Sequence, residues 1–293
     1  MNRTAFTRIQ FALSMVVFGT IALFVRNVAL TSAQIALARA VLAAILLGFY
    51  LLIKRTNPIK DIKKSDLLLL LVSGAAMGFN RILLFEAYRY TTVSLATLCY
   101  YFAPVLVTLL SPILFRERMS ARGMFCFAAS TAGLVLIVGV SGAGGGNHLF
   151  GILFGLGAAT LYATVMLLNK TIKSVGGLSR TFLQFLAAIA VLLPYVLIVD
   201  GGFPLRHLDT TGLVCLLVVG LVHTGVTYCL YFSALWRLPG QEAAILSYID
   251  PLIAVVVSMA FLGEPITAWQ IVGGLLILGF SLLNEVHFKR KKT

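Results

Sequence analysis

Apolar stretches long enough to cross a bilayer recur ten times along this chain, at residues 9–27, 33–53, 67–88, 94–114, 122–140, 149–169, 179–199, 211–233, 243–262 and 268–288. A hydrocarbon core about 30 Å thick needs roughly 20 residues of helix to span it. In hydrocarbon each backbone N–H and C=O must be satisfied internally, so every stretch is expected to be an α-helix. The connections are short, and the longest, Lys54–Asp66, is a basic loop. Only 11% of the residues are charged, against roughly 25% in soluble proteins, and the mean hydropathy is +0.99. So few charges cannot cover a water-facing surface. The expected fold class is an all-α integral membrane protein with ten transmembrane helices.

The net charge of +13 does not point to nucleic acid, because the cations are scattered over many short loops and form no stripe. They sort by side. With the N-terminus cytoplasmic, 18 Lys and Arg residues fall in inside segments and three (Arg26, Arg89 and Arg206) in outside loops. That asymmetry predicts both termini on the cytoplasmic side of the cell membrane. Arg3 and Arg8 ahead of an apolar run resemble a signal peptide, but the run to Ala22 is long and an even span count keeps the termini together. An uncleaved first helix is therefore expected. Cys99, Cys126, Cys215 and Cys229 lie within apolar stretches without CxxC spacing or clustered histidines, as buried small hydrophobes do. No metal site and no cofactor is expected.

The chain repeats itself. A shift of 147 sets Pro104 on Pro251, Tyr101 on Tyr248, Glu117 on Glu264, Gly78 on Gly225, Phe85 on Phe232, Ala87 on Ala234 and Ser120 on Thr267. Near the start of each half a shift of 144 sets Phe18 on Tyr162 and Arg26 on Lys170. The expected organisation is repeat 1 over 1–140, a linker at 141–148 (SGAGGGNH) and repeat 2 over 149–293. Five helices is an odd number, so the two copies must be inverted in the membrane. Inverted repeats recur in secondary transporters, with the substrate near mid-membrane between the halves. Channels are also built this way.

The fourth-helix run YYFAPVLVTLLSPILFRERMS (Tyr100–Ser120) and its partner SYIDPLIAVVVSMAFLGEPIT (Ser247–Thr267) each carry a proline with a Glu 13 residues later. With Ile35–Val41 (IALARAV), whose arginine is Arg39, they resemble the ten-helix EamA-type branch of the drug/metabolite transporter superfamily over essentially the whole chain. The chain has Phe18-Gly19 where many members have a Trp-Gly pair, and Arg81 has no general counterpart in the family. The resemblance implies export of a small metabolite such as an amino acid or amine.

Ionisable groups at membrane depth are functional candidates by default. Arg39 lies about six residues from the outer end of the second helix, roughly 9 Å deep, and Arg81 about seven from the outer end of the third, roughly 10 Å deep. Glu86 lies nearer the outer surface, roughly 140° around the helix from Arg81, which makes a bridge between them poor. Asp250 precedes Pro251 and matches Ala103, so the repeat does not require it. Two readings stand: Arg39, Arg81, Glu86 and Asp250 form structural ion pairs, or an arginine faces a cavity and holds a carboxylate. Asp250 could take a proton or a substrate amine, and equally could be satisfied by a neighbouring helix end. His223 reads as a proton relay or as a hydrogen-bonded core residue, and Glu86 joins Asp250 and His223 as a candidate for proton coupling.

Pro104 and Pro251 each remove a backbone hydrogen bond and bend a helix, which suits gates or cavity walls. Tyrosines gather near these positions (Tyr88, Tyr100, Tyr101, Tyr162, Tyr228, Tyr231 and Tyr248), some as interfacial anchors. Tyr101 and Tyr248 are expected to line the cavity together with Tyr88 and Tyr162. Gly74 with Gly78, and Gly151 with Gly155, fit close helix packing.

The function read from these features is a secondary transporter, an exporter of a small polar or zwitterionic metabolite, working by alternating access and not an enzyme. The alternatives are an intramembrane enzyme, for which HExxH, GxSxG and paired acids are missing, and a channel-like facilitator. Its expected partners are the substrate and the lipid bilayer, with a monomer compatible with the sequence.

Overall fold

The computed structural model describes residues 3–60, 62–115, 121–141, 146–204, 208–235 and 237–285. Glu117 and Ser120 of the repeat, the loop arginines Arg116, Arg118 and Arg206, residues 142–145 of the linker and the cluster Lys289–Lys292 lie outside them.

Helix is the regular structure among the described residues, which contain no strand. In chain order the helices are α1 (Arg3–Gly19), α2 (Ile21–Val25), α3 (Ser32–Ile53), α4 (Lys64–Tyr90), α5 (Val93–Tyr100), α6 (Ala103–Phe115), α7 (Ala121–Ser141), α8 (Gly146–Thr171), α9 (Gly177–Val199) and α10 (Thr210–Leu217). A π-helical stretch (Val218–Val226) leads into α11 (Thr227–Leu235), then α12 (Gly240–Ser247), α13 (Ile249–Phe261) and α14 (Ala268–Glu285). Among the described residues seven helical rods are long and apolar enough to cross a membrane, and three further apolar helices, Ala121–Ile137, Ile245–Phe261 and Ala268–Asn284, are shorter. Every apolar segment read from the sequence overlaps helix. Gly146, Asn147 and His148, expected in the linker, already belong to α8.

Side chains at the segment ends explain where several helices start. Thr31 and Gln34 cap α3 reciprocally, and Thr267 and Gln270 repeat the exchange at α14. Each pair satisfies two of the orphan N–H groups of a first turn. Asp209 caps α10 by accepting from Gly212 N at 2.8 Å.

Helix α4 packs on α8 and α9, α3 on α9 and the π stretch, and α1 on α11 and α13. Helix α5 packs on α8 and α13, α6 on α8, and α7 on α14. The glycine pairs expected at interfaces are there. A Cβ at Gly74 would stand 2.5 Å from Gln184 O of α9, and one at Gly155 2.9 Å from Cys99 Cβ of α5. The outer surface is apolar: Ile198, Leu52 and Phe261 project away from the bundle. An exposed apolar face this extensive marks contact with lipid, so the protein is a multi-pass membrane protein.

Candidate functional site

Four of the rods are interrupted rather than straight. The α5–α6 rod breaks at Tyr101–Phe102 and the α12–α13 rod at Tyr248. Pro104 and Pro251 do not kink the middle of a continuous helix, as the sequence reading supposed. Each lies in the opening turn of the second segment, where its missing N–H would have had no partner in any case. The α1–α2 rod breaks at Thr20, whose hydroxyl donates to Val17 O at 2.8 Å. The fourth interruption is the π stretch, which loosens the middle of the α10–α11 rod; π-bulges concentrate at functional sites.

Across the first two breaks the Tyr101 hydroxyl donates to Asp250 Oδ2 at 2.5 Å, and the rings of Tyr101 and Tyr248 face each other with centroids 6.5 Å apart. Asp250 sits in the first turn of α13, where the helix dipole favours an anion. Gly19 brings α1 against this turn, since a Cβ there would lie 2.6 Å from Asp250 O. Tyr100 stands edge-on to Tyr101 at 5.8 Å and stacks on Tyr162 at 5.1 Å. The Arg81 guanidinium lies 5.8 Å from the Tyr100 ring centroid. Its Nε is buried without a hydrogen-bond partner among the described residues. Tyr88, buried on α4, lies within electrostatic reach of both Arg81 and Asp250. The structure thus gathers Arg81, Tyr88, Tyr101, Tyr162, Tyr248 and Asp250 in one place.

Arg39 forms a neighbouring group. It is 3% exposed, and its Nε donates to Thr224 Oγ1 at 2.6 Å, while Thr224 donates in turn to Val219 O at 2.8 Å. Tyr228 and Arg81 lie within electrostatic reach of Arg39. His223 occupies the same π stretch, with Nε2 at 3.0 Å from Thr20 Oγ1 and Nδ1 at 3.3 Å from Val218 O. Because the Thr20 hydroxyl is given to Val17 O, each of these contacts needs a ring N–H, and a neutral imidazole has one, so it makes one of the two. Glu86 is not part of the cluster; it pairs with Arg89 at 3.5 Å near the end of α4. Among the described residues Arg39, Arg81, Glu86 and Asp250 make no ion pair with one another, so the structural-pair alternative finds no support.

The sequence reading did not foresee the network at one end of the bundle. Arg26 bridges to Glu264, and it also donates to Tyr88 O at 2.8 Å and Thr91 O at 3.0 Å. Glu264 accepts from Val93 N at 2.8 Å and from the Ser258 hydroxyl. Gly263, at φ +62, turns the chain there. This latch joins the α2 end, the α4–α5 turn and the α13–α14 loop. Arg26 and Glu264 were both visible as repeat-matched positions, but nothing in the sequence paired them.

A family model described as the EamA-like transporter family matches residues 6–139 and 149–284. An uncharacterized transporter, YxxF, of Bacillus subtilis is 30% identical over 285 residues, covering 97% of this chain and 90% of that protein. A probable amino-acid metabolite efflux pump of Salmonella typhimurium is 25% identical over 240 residues, covering 78% and 80%. A solved crystal structure superposes with a TM-score of 0.64 at 15% identity, covering 94% of this chain and 95% of the other, a likeness of fold.

Proposed function

The chain belongs to the EamA-like transporter family, and on that premise we propose that it is a secondary active exporter of a small polar or zwitterionic metabolite, such as an amino acid or amine, working by alternating access. The architecture in this reading is ten membrane-spanning helices in two inverted five-helix repeats, 1–140 and 149–293, with both termini cytoplasmic in the cell membrane.

The packing supports a repeat in which the two halves exchange. Exchanging the halves turns α4 on α8 into α11 on α1, α4 on α9 into the π stretch on α3, and α6 on α8 into α13 on α1. Each of these packings occurs. Two repeats related in this way give two gates on opposite faces of one cavity.

The observation that carries the reading is the Tyr101–Asp250 hydrogen bond. It joins two broken helices, one from each repeat, near Arg81, whose Nε has no hydrogen-bond partner among the described residues. A rocking motion between the repeats must make or strain this bond, so the substrate site and the moving joint coincide. Arg39, Tyr88, Tyr162 and Tyr248 complete the binding surface, and Pro104 and Pro251 set the breaks. Asp250 is the proton-coupling group: it is interior, acidic and held by the Tyr101 hydroxyl, whereas Glu86 is already paired with Arg89. With no nucleotide-binding motif in the sequence, an ion or substrate gradient drives transport.

Proteoliposomes containing the purified protein test this. Saturable, pH-gradient-sensitive flux of an amino acid or amine is expected. Unitary currents, or no flux of any such compound with or without a gradient, would overturn it.

A further inference from the structure

Charge inside a bilayer is retained when it is paired. The ion pairs Arg8–Glu242, Arg26–Glu264 and Arg89–Glu86 lie at the ends of the helices. Arg81, within α4, and Asp250, at the break of the α12–α13 rod, have no such pairing among the described residues. Among the described residues Arg81 makes no ion pair and its Nε has no hydrogen-bond partner. Among those residues Asp250 has one side-chain hydrogen bond, from Tyr101. The two are joined only through tyrosines: Arg81 lies 5.8 Å from the Tyr100 ring, Tyr100 stands edge-on to Tyr101 at 5.8 Å, and Tyr101 holds Asp250. A cation and an anion left separate in one compartment form a site for a molecule that carries the complementary charges at its two ends.

We propose that the substrate is a zwitterion held at both ends, its carboxylate on Arg81 and its ammonium on Asp250. This rests on the transporter reading above and assigns the poles of that same site. A guanidinium edge with a free Nε–H matches a carboxylate in a bidentate geometry. Tyr100 flanks the guanidinium and leaves that edge uncommitted. Tyr101 holds Oδ2 of Asp250, and a carboxylate has further lone pairs for an ammonium. Arg39 has its Nε committed to Thr224, whereas the Nε of Arg81 has no hydrogen-bond partner among the described residues. A simple amine would leave Arg81 uncovered and a simple acid would leave Asp250 uncovered, so both are rejected relative to the zwitterion.

Binding to the purified full chain is measured by thermal shift and titration with the twenty standard amino acids. It is then measured with matched sets: L-phenylalanine, L-phenylalaninamide and N-acetyl-L-phenylalanine, and the same three forms of L-threonine. The wild type is expected to bind a free amino acid at least ~10-fold tighter than its amide or N-acetyl form, the scale of one charged hydrogen bond. Arg81→Gln should abolish the preference over the amide alone, and Asp250→Asn the preference over the N-acetyl form alone. Wild-type binding that ignores blocking of either end overturns the assignment, as does an equal loss for all three forms in either variant. The wild-type arm needs no substitution, so a misfolded variant leaves the test intact. Failure of all twenty amino acids to bind also overturns it. Flux of amines or organic acids without flux of any zwitterion would sink the pole assignment and leave the transporter reading standing.

Discussion

Tyr101 donates to Asp250 across 149 residues of sequence, at 2.5 Å, between the break in one rod and the first turn after the break in another. The bond closes the joint between α5–α6 and α12–α13 with a single proton-bearing contact. Tyr101→Phe keeps the ring between Tyr100 and Tyr248 and removes only the donor. A hydrogen bond to a charged group contributes about 1.5–3 kcal/mol, so the unfolding midpoint should fall by a corresponding amount with the fold retained. Adding Asp250→Asn should cost less than the sum of the two single losses. Additive losses would mean that the bond contributes nothing.

Arg39 depends on Thr224 in the π stretch. Thr224→Val keeps the side-chain shape and orphans the Arg39 Nε–H in a buried site, with an expected loss of about 1–3 kcal/mol. Thr224→Ser should restore stability. Thermal unfolding in detergent reads both, and a Val variant as stable as the wild type would contradict the contact.

Glu264→Gln leaves an acceptor for Val93 N and removes the charge that holds Arg26. The latch should then open more readily. Ser94→Cys in a background lacking the four native cysteines provides the reporter, because Ser94 is buried beside Ser258. Its labelling by an impermeant maleimide should accelerate several-fold on addition of Glu264→Gln. Unchanged labelling would show that the latch does not guard that end.

Gly19→Ala places a methyl 2.6 Å from Asp250 O, where α1 and α13 must move apart. Such overpacking costs about 1–3 kcal/mol and should weaken substrate binding as well. Gly279 has nothing within 4 Å, and Gly279→Ala should be neutral or slightly stabilising. Equal behaviour of the two variants would contradict the close approach.

Glu242 accepts hydrogen bonds from Arg8, and that contact holds its carboxyl below the ordinary range. A carboxylate with a depressed folded pKa adds stability that is present above its unfolded pKa and disappears as pH falls through the folded value. The difference between wild type and Arg8→Gln should therefore be flat from pH 8 to about pH 6 and vanish only in strong acid. The pair is solvent-exposed, so the difference is small. A pH dependence of transport near neutrality that survives Arg8→Gln then comes from elsewhere.

Much of the fold was legible because the bilayer imposes simple rules. A span needs a certain apolar length and internal hydrogen bonding, so Ile35 to Leu51 could hardly be anything but helix. Close helix crossings need small residues, so Gly74 and Gly155 were readable as interfaces. Pro104 and Pro251 marked where two rods are interrupted, although not that the breaks fall just before them. The candidate site was legible only as a set of residue types. Arg81, Asp250 and the tyrosines stood out because ionisable and phenolic groups at membrane depth need a reason to be there.

The sequence by itself determined which segments are helical, where two of the rods break and which charges enter the apolar region. Those properties depend on local composition and on hydrocarbon as solvent. Only the tertiary structure decided the partners. Tyr101 could have donated to several acceptors, Arg39 could have met a carboxylate rather than Thr224, and Arg26 gave no sign of Glu264. Partner choice depends on the rotation and depth of each helix against its neighbours, set by the summed packing of many side chains. A change of one residue in that register turns a side chain by about 100°, enough to exchange one partner for another. That is why Tyr101 and Asp250 could each be named from the sequence, while the bond between them could not.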